Sequence, residues 1–239
     1  MLYVLILGFF IGMSHALEAD HLAAMAAMSS DRSESRRHFV LRGTFWGIGH
    51  TATLFLLCAI VLIFGLSLSE SVAARLESIV GVMLIVLGAH LLVRMAKQRI
   101  HFHVHQHDEG PAHLHAHSHA GDAVNHSESA HRHEHPTTPP NRALLVGLVH
   151  GAAGSAALLT LVIASTESVV LAISYVLVFG LGSIIGMTLL SLVVVWPLQL
   201  VERTAKILHF GVLSAAAIFA IGVGGNIVID TAQLAWGVL

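Results

Sequence analysis

Four ionisable side chains crowd into Gly12-Met-Ser-His15-Ala-Leu-Glu18-Ala-Asp20-His21, inside a stretch that is otherwise apolar from Leu2 to Met28. A charged group at the centre of a bilayer-spanning helix costs about 2.5–3.5 kcal/mol on insertion scales, so such a group normally serves a function. Imidazole nitrogen and carboxylate oxygen together suit a first-row divalent ion, with Ni²⁺, Co²⁺ and Zn²⁺ all compatible. On a continuous helix His15, Glu18 and His21 are i,i+3 neighbours and form one slanted ladder. Asp20 points elsewhere, and joins the same ion only if the helix is kinked or unwound. Gly12 just upstream permits that, and irregular backbone is tolerated at membrane depth where it lines a cavity. The plainer alternative is that the four groups merely pair with one another in a helical bundle.

Two more histidines sit within apolar runs. His50, in Trp46-Gly47-Ile48-Gly49-His50-Thr51, lies eight residues beyond Arg42, roughly 12 Å along a helix, deep enough to meet the first segment. His150, in Gly147-Leu-Val-His150-Gly151-Ala-Ala-Gly154-Ser155, is flanked by small residues that allow close helix approach. Each reads either as an ion ligand or as a helix-to-helix hydrogen bond, and Ser155 is a weaker candidate beside them. His90 and His209 fall near helix ends, where an interfacial histidine needs no special role. Glu70, Glu77, Glu167 and Asp230 fall toward the side opposite the basic loops, where they are solvated or form a funnel for cations.

The elements that position these residues are membrane helices. The chain has 239 residues, 55% hydrophobic and 11% charged, the balance of a polytopic membrane protein. At about 20 apolar residues per crossing, six spans are predicted: Leu2–Met28, Val40–Leu66, Val72–Val93, Ala143–Ser165, Val169–Trp196 and Ile207–Ile229, with Pro197 closing the fifth. The expected fold is all-α: a three-helix half over 1–96, a histidine-rich loop over 97–141 and a second three-helix half over 142–239. The loop holds twelve of the nineteen histidines, with His101, His103, His105 and His107, then His113, His115, His117 and His119, in strict alternation. It has little apolar surface to bury and is expected to be disordered without metal, binding divalent metal weakly and unselectively as a metal buffer, with delivery and sensing as the alternatives.

Loops one, three and five and the helix ends beside them carry eleven of the twelve lysines and arginines, and Arg75 alone lies opposite. The positive-inside rule then puts the histidine loop in the cytoplasm and both termini outside the plasma membrane. Met1 to Met13 lacks the basic flank and cleavage site of a secretory signal and reads as a retained helix. Gly12-x-x-His15 recurs as Gly147-x-x-His150, Trp46-Gly47-Ile48-Gly49 as Phe179-Gly180-Leu181-Gly182, and Gly88 as Gly222, at shifts of 135, 133 and 134. Halves of three spans each insert with opposite topology, the inverted-repeat plan of many secondary transporters.

Several functions are excluded or disfavoured. Neither lysine follows a glycine, so no phosphate-binding loop of the Walker type exists and ATP hydrolysis on this chain is ruled out. Cys58 is the sole cysteine, which removes paired-thiol chemistry within one chain. An intramembrane hydrolase would suit histidines beside an acid, but HExxH is absent. A metal sensor or chaperone anchored by inert helices leaves the buried polar cluster without a purpose.

His15-Ala-Leu-Glu18-Ala-Asp20-His21 resembles the H-x4-D-H signature of the nickel/cobalt transporter family, including its urease-accessory-type members. Gly49-His50-Thr51 is similar to the Gly-His-Thr/Ser element that follows there. Gly147 to Ala157 looks like the second-half motif of the short, six-helix urease-accessory-type branch. The resemblance touches most of the chain. It implies a permease for Ni²⁺ or Co²⁺, with His15, Asp20 and His21 as signature metal residues and His50 close by. This chain departs from longer members in having Ser14 for arginine, Glu18 for aspartate, and His150 with small residues in place of an acidic second cluster. Uptake is the expected direction, and export by a related six-helix branch is the alternative. The expected metal residues are therefore His15, Glu18, Asp20, His21, His50 and His150. No cofactor is expected, the ion being cargo. The expected partners are the ion, the bilayer and a cytoplasmic metal acceptor, with no nucleic acid; oligomeric state is not legible.

Overall fold

A computed structural model describes residues 2–28, 36–66, 68–97, 100–105, 113–118, 140–153, 168–202 and 206–237. Its helices are α1 (Leu2–His15), α2 (Ala19–Met28), α3 (Arg36–Phe64), α4 (Glu70–Lys97), α5 (Pro140–Ala153), α6 (Val169–Glu202) and α7 (Lys206–Trp236). Four of these, α3, α4, α6 and α7, are long and apolar enough to cross a membrane. A fifth crossing is made if α1 and α2, bent by 51° at their junction, count as one broken span. The expected span Ala143–Ser165 is described only through Ala153, and Ser155 lies outside the described residues.

The first expected span is thus two helices. The chain leaves α1 after His15 in a turn closed by the Leu17 and Glu18 amides donating to the Ser14 and His15 carbonyls, and the Leu22 amide donates to Glu18 as α2 begins. The break falls at Ala16 to Glu18, not at Gly12. Gly12 instead serves contact: a Cβ there would strike the Phe179 carbonyl on α6. The sequence predicts a stop at Pro197, yet α6 runs on to Glu202. One proline deletes a single backbone hydrogen bond, and spanning helices tolerate that loss.

Lipid cannot drive helices together by the hydrophobic effect, so close packing of small residues and interhelical polar contacts must do so. Glycine-mediated approaches join α1 to α6 and α3 to α5. Side chains on Gly12 or Gly182 would hit the Phe179 or Phe9 carbonyl, and on Gly49 or Gly147 the Leu144 or Trp46 carbonyl. Gly81 of α4 and Gly224 of α7 meet in the same way. Hydroxyls fasten the contacts: Ser183 donates to the Gly12 carbonyl at 3.1 Å, Ser191 to Phe39 at 2.9 Å and Thr51 to Gly180 at 3.2 Å. Large apolar side chains such as Leu56, Ile63, Val86 and Ile218 point outward, as a lipid-facing surface requires.

Part of the histidine loop departs from the expected disorder. Ile100–His105 (β1) and His113–Ser118 (β2) pair antiparallel, with His101 opposite His117, His103 opposite His115 and His105 opposite His113. Strict alternation has the period of a strand, so it places the histidines at same-face register positions on both strands. His107 and His119 lie outside the described residues.

Candidate functional site

The broken helix is what assembles the site. His15 ends α1, while Asp20 and His21 open α2, so the turn lets both segments aim inward. His50 comes from the middle of α3 and His150 from α5. The four imidazoles gather with ring centroids 4.6 Å apart for His15 and His21, 5.1 Å for His21 and His50, and 4.2 Å for His21 and His150. His21, His50 and His150 are essentially fully buried.

The hydrogen bonds assign the tautomers. Carboxylates only accept, so the ring nitrogen facing each one carries the proton. His15 Nδ1 donates to Glu18 Oε1 at 2.7 Å, His21 Nδ1 to Asp20 Oδ1 at 2.9 Å, and His150 Nε2 to Asp20 Oδ2 at 3.0 Å. In the neutral rings the opposite nitrogens are then bare lone pairs: His15 Nε2, His21 Nε2 and His150 Nδ1. His15 Nε2 stands 3.2 Å from His50 Nε2, which must donate to it, leaving His50 Nδ1 bare as well. His21 Nε2, His50 Nδ1 and His150 Nδ1 are buried with no hydrogen-bond partner among the described residues. An unsatisfied buried acceptor costs about 1–3 kcal/mol, and three so close together suit a shared hydrogen-bond donor or a cation.

Two overlapping triads emerge. His15, His21 and His50 offer three ligand atoms within 4.8 Å of one another, and so do Asp20, His21 and His150. Two imidazole nitrogens bound to one ion at about 2.1 Å stand no more than about 4.2 Å apart, so each triad must contract slightly to close on a cation, and a nitrogen that now donates to Asp20 or His15 must lose its proton or turn its other nitrogen inward. His21 belongs to both. Glu18 belongs to neither; its carboxylate, 56% exposed, fixes the His15 ring from outside, the usual role of a carboxylate behind a metal-binding histidine. His90 is exposed on α4, away from the cluster.

Nothing in the sequence assigns a role to the aromatic walls. Trp46, fully buried with Nε1 unpartnered among the described residues, packs its ring 5.4 Å from His21 and 5.8 Å from His150. Phe179 lies 5.5 Å from His15. Their place in the glycine-rich segments at shift 133 is the signal that marks them, since each supplies the carbonyl against which a glycine of the facing helix packs.

Residues 11–224, from inside α1 to the middle of α7, match the family described as the cytochrome c biogenesis protein transmembrane region. The chain belongs to that family. The match spans every helix that contributes to the cluster, and with the apolar helices it makes this member a multi-pass membrane protein. The chain is also similar to the urease accessory protein UreH of Bacillus sp. (strain TB-90), 29% identical over 212 residues that cover 87% of this chain and 82% of the relative. No solved structure gives a significant match. Within this family member the single cysteine, Cys58, is buried on α3, and the cluster is built of nitrogen and oxygen donors instead.

Proposed function

We propose that this protein is a secondary transporter of the nickel/cobalt transporter type, carrying Ni²⁺, or Co²⁺, inward across the plasma membrane with both termini outside. The observation that carries this reading is the set of bare, buried imidazole nitrogens converging from three helices at membrane depth. An enzyme would add an open water position and a substrate cleft, whereas a carrier needs reversible ligands and two ways out. Similarity to a urease accessory protein supports the choice of ion, because urease maturation consumes nickel.

The inferred six-span plan has halves 1–96 and 142–239 related as an inverted repeat. What supports it is that contacts come in mates. Adding 135 to Phe9, Gly12 and Met13 gives Leu144, Gly147 and Leu148, and adding 133 to Trp46 and Gly49 gives Phe179 and Gly182. Gly12 meets Phe179 as Gly147 meets Trp46, and Gly182 meets Phe9 and Met13 as Gly49 meets Leu144 and Leu148. Rocking of one half against the other opens a shared midplane site alternately to each side.

A hydrated ion sheds water for Asp20 and the imidazoles, held first by Asp20, His21 and His150 and then by His15, His21 and His50. His21 serves both positions, so the ion changes neighbours without returning to water. Two positive charges moving inward gain about 4.6 kcal/mol per 100 mV, and no ATP is needed. Export would require coupling to another gradient.

Initial flux into proteoliposomes of set potential and pH gradient, with Ni²⁺, Co²⁺ and Zn²⁺ in competition, tests the reading. Flux should rise with an inside-negative potential, and Asp20→Ala should reduce it at least about tenfold while the protein still inserts. Wild-type flux in that variant would remove the cluster from the transport path.

The histidine loop is proposed to buffer metal on the cytoplasmic side. Deleting residues 97–141 and joining the ends through a flexible linker should change flux less than about threefold, since none of the intramembrane ligands lies there. It should also reduce the number of weakly bound ions per chain in equilibrium dialysis. Complete loss of flux in an inserted deletion protein would show the loop to be part of the path.

A further inference from the structure

A cavity of about 630 Å³ lies between the α1–α2 turn and one face of α7. Glu18 and Asp20 form one wall, and Phe219, Gly222 and Asn226 stand on the other. We infer that this cavity is the outer vestibule through which the hydrated ion reaches Asp20, with Asn226 and Asp230 marking its mouth. The inference rests on the transport reading above.

Three observations carry it. The α7 positions repeat at i,i+3 and i,i+4, so they form a single stripe, while Gly224 turns the opposite way against Gly81 of α4. Asp230 prolongs the stripe by one turn, and Asn226 Nδ2 donates to its Oδ2 at 2.7 Å. Asn226 stands ten residues inside Trp236, about 15 Å along the helix, and it is exposed. A polar amide at that depth is tolerated where water reaches it, not where lipid does. Glu18, more than half exposed, is exposed into the same space.

The size and lining fit a hydrated cation. About six waters at roughly 30 Å³ each occupy about 180 Å³, well within the cavity. Glu18 and Asp20 are its acidic lining, Asp230 lies one turn beyond Asn226, and the α7 side between them is mainly apolar, so an ion is drawn in without being retained on the way. On the orientation proposed above, the C-terminal end of α7 faces outward. The stripe then runs Asp230, Asn226, Gly222 from the outside toward the Asp20 carboxylate.

Gly222 supplies the test. A Cβ built there meets nothing within 4 Å, so the Gly222→Leu side chain starts into the open space of the cavity, and Gly211→Leu, equally open at its Cβ but off the cavity lining, is its control. Initial ⁶³Ni²⁺ uptake by intact cells should fall at least tenfold in Gly222→Leu and stay within twofold of wild type in Gly211→Leu. Equilibrium Ni²⁺ binding to the solubilised Gly222→Leu protein should remain within twofold of wild type, because its ligands are untouched. In a Cys58→Ala background, Asn226→Cys should react from outside with a membrane-impermeant methanethiosulfonate and lose uptake on reaction. Wild-type uptake by Gly222→Leu, or modification of Asn226→Cys only by a lipid-soluble maleimide, would overturn the vestibule and make the cavity a lipid-facing groove. Failure of the wild-type protein to bind Ni²⁺, Co²⁺ or Zn²⁺ overturns the transport reading and the ion route together, and the wild-type binding control separates that result from the others.

Discussion

Replacing His21 with alanine should abolish metal transport and lower metal affinity more than any other single change in the cluster. His15→Ala or His50→Ala leaves the Asp20, His21 and His150 triad whole, and His150→Ala leaves the His15, His21 and His50 triad whole. His21→Ala dismantles both. Loss of a group that only supports a ligand already weakens metal sites by about 10–100-fold, so losing the ligand common to two triads should weaken binding by at least about 100-fold. Competition against a metallochromic dye in detergent gives the affinity, and proteoliposome flux gives the transport rate. The ordering is the sharper readout: if His21→Ala and His150→Ala weaken binding equally, the two triads are not alternative positions for one ion. The change also removes the ring donor to Asp20 Oδ1, which keeps the backbone amide of residue 21, and His150 remains as the side-chain donor to Asp20 among the described residues.

Gly182→Ala should lower the melting temperature of the solubilised protein by roughly 10 °C, although alanine is the better helix former by about 1 kcal/mol. A methyl group at Gly182 falls on the Phe9 carbonyl of α1, a backbone atom that cannot rotate away. Overpacking against movable side chains costs about 1–3 kcal/mol, and a backbone obstruction belongs at or above the upper end. For chains of this length each kcal/mol corresponds to about 2–4 °C. Because α1 ends in His15, displacing it should also separate His15 from His50 and slow transport. Gly211→Ala is the matched control, since nothing lies within 4 Å of a Cβ there, and its melting temperature should rise or stay unchanged. Equal behaviour of the two variants would mean that α1 and α6 do not meet through Gly182.

The residues that gather in the cluster were legible because the bilayer makes polarity conspicuous. His15, Asp20, His21, His50 and His150 stand out from apolar runs in which any ionisable group carries an energetic cost, and composition alone established a polytopic helical membrane protein. Gly12, Gly147, Gly49 and Gly182 were likewise conspicuous through their recurrence at offsets of 135 and 133, and each faces a carbonyl; Gly88 and Gly222, at 134, do not match, since Gly88 packs against Ala217 and nothing meets Gly222. What could not be read was where the first segment breaks. Helix periodicity put Asp20 on the wrong face, and only the turn at Ala16 to Glu18 brings it under His21 and His150. The run through Pro197 was hidden for a similar reason: a local helix-breaking preference is overridden when neighbouring helices hold the segment.

Sequence by itself determined which atoms are available to hold an ion, since ligand type is a property of the side chain. Tertiary structure alone decided how they are shared: that His21 stands in two triads, that Glu18 stands behind His15 in neither, that Trp46 walls the cluster, and that α7 leaves a cavity beside Asp20. The physical reason is that these depend on distances of a few ångströms between helices far apart in sequence. Those distances are set by where a small residue lets two backbones touch, and they follow from no local propensity.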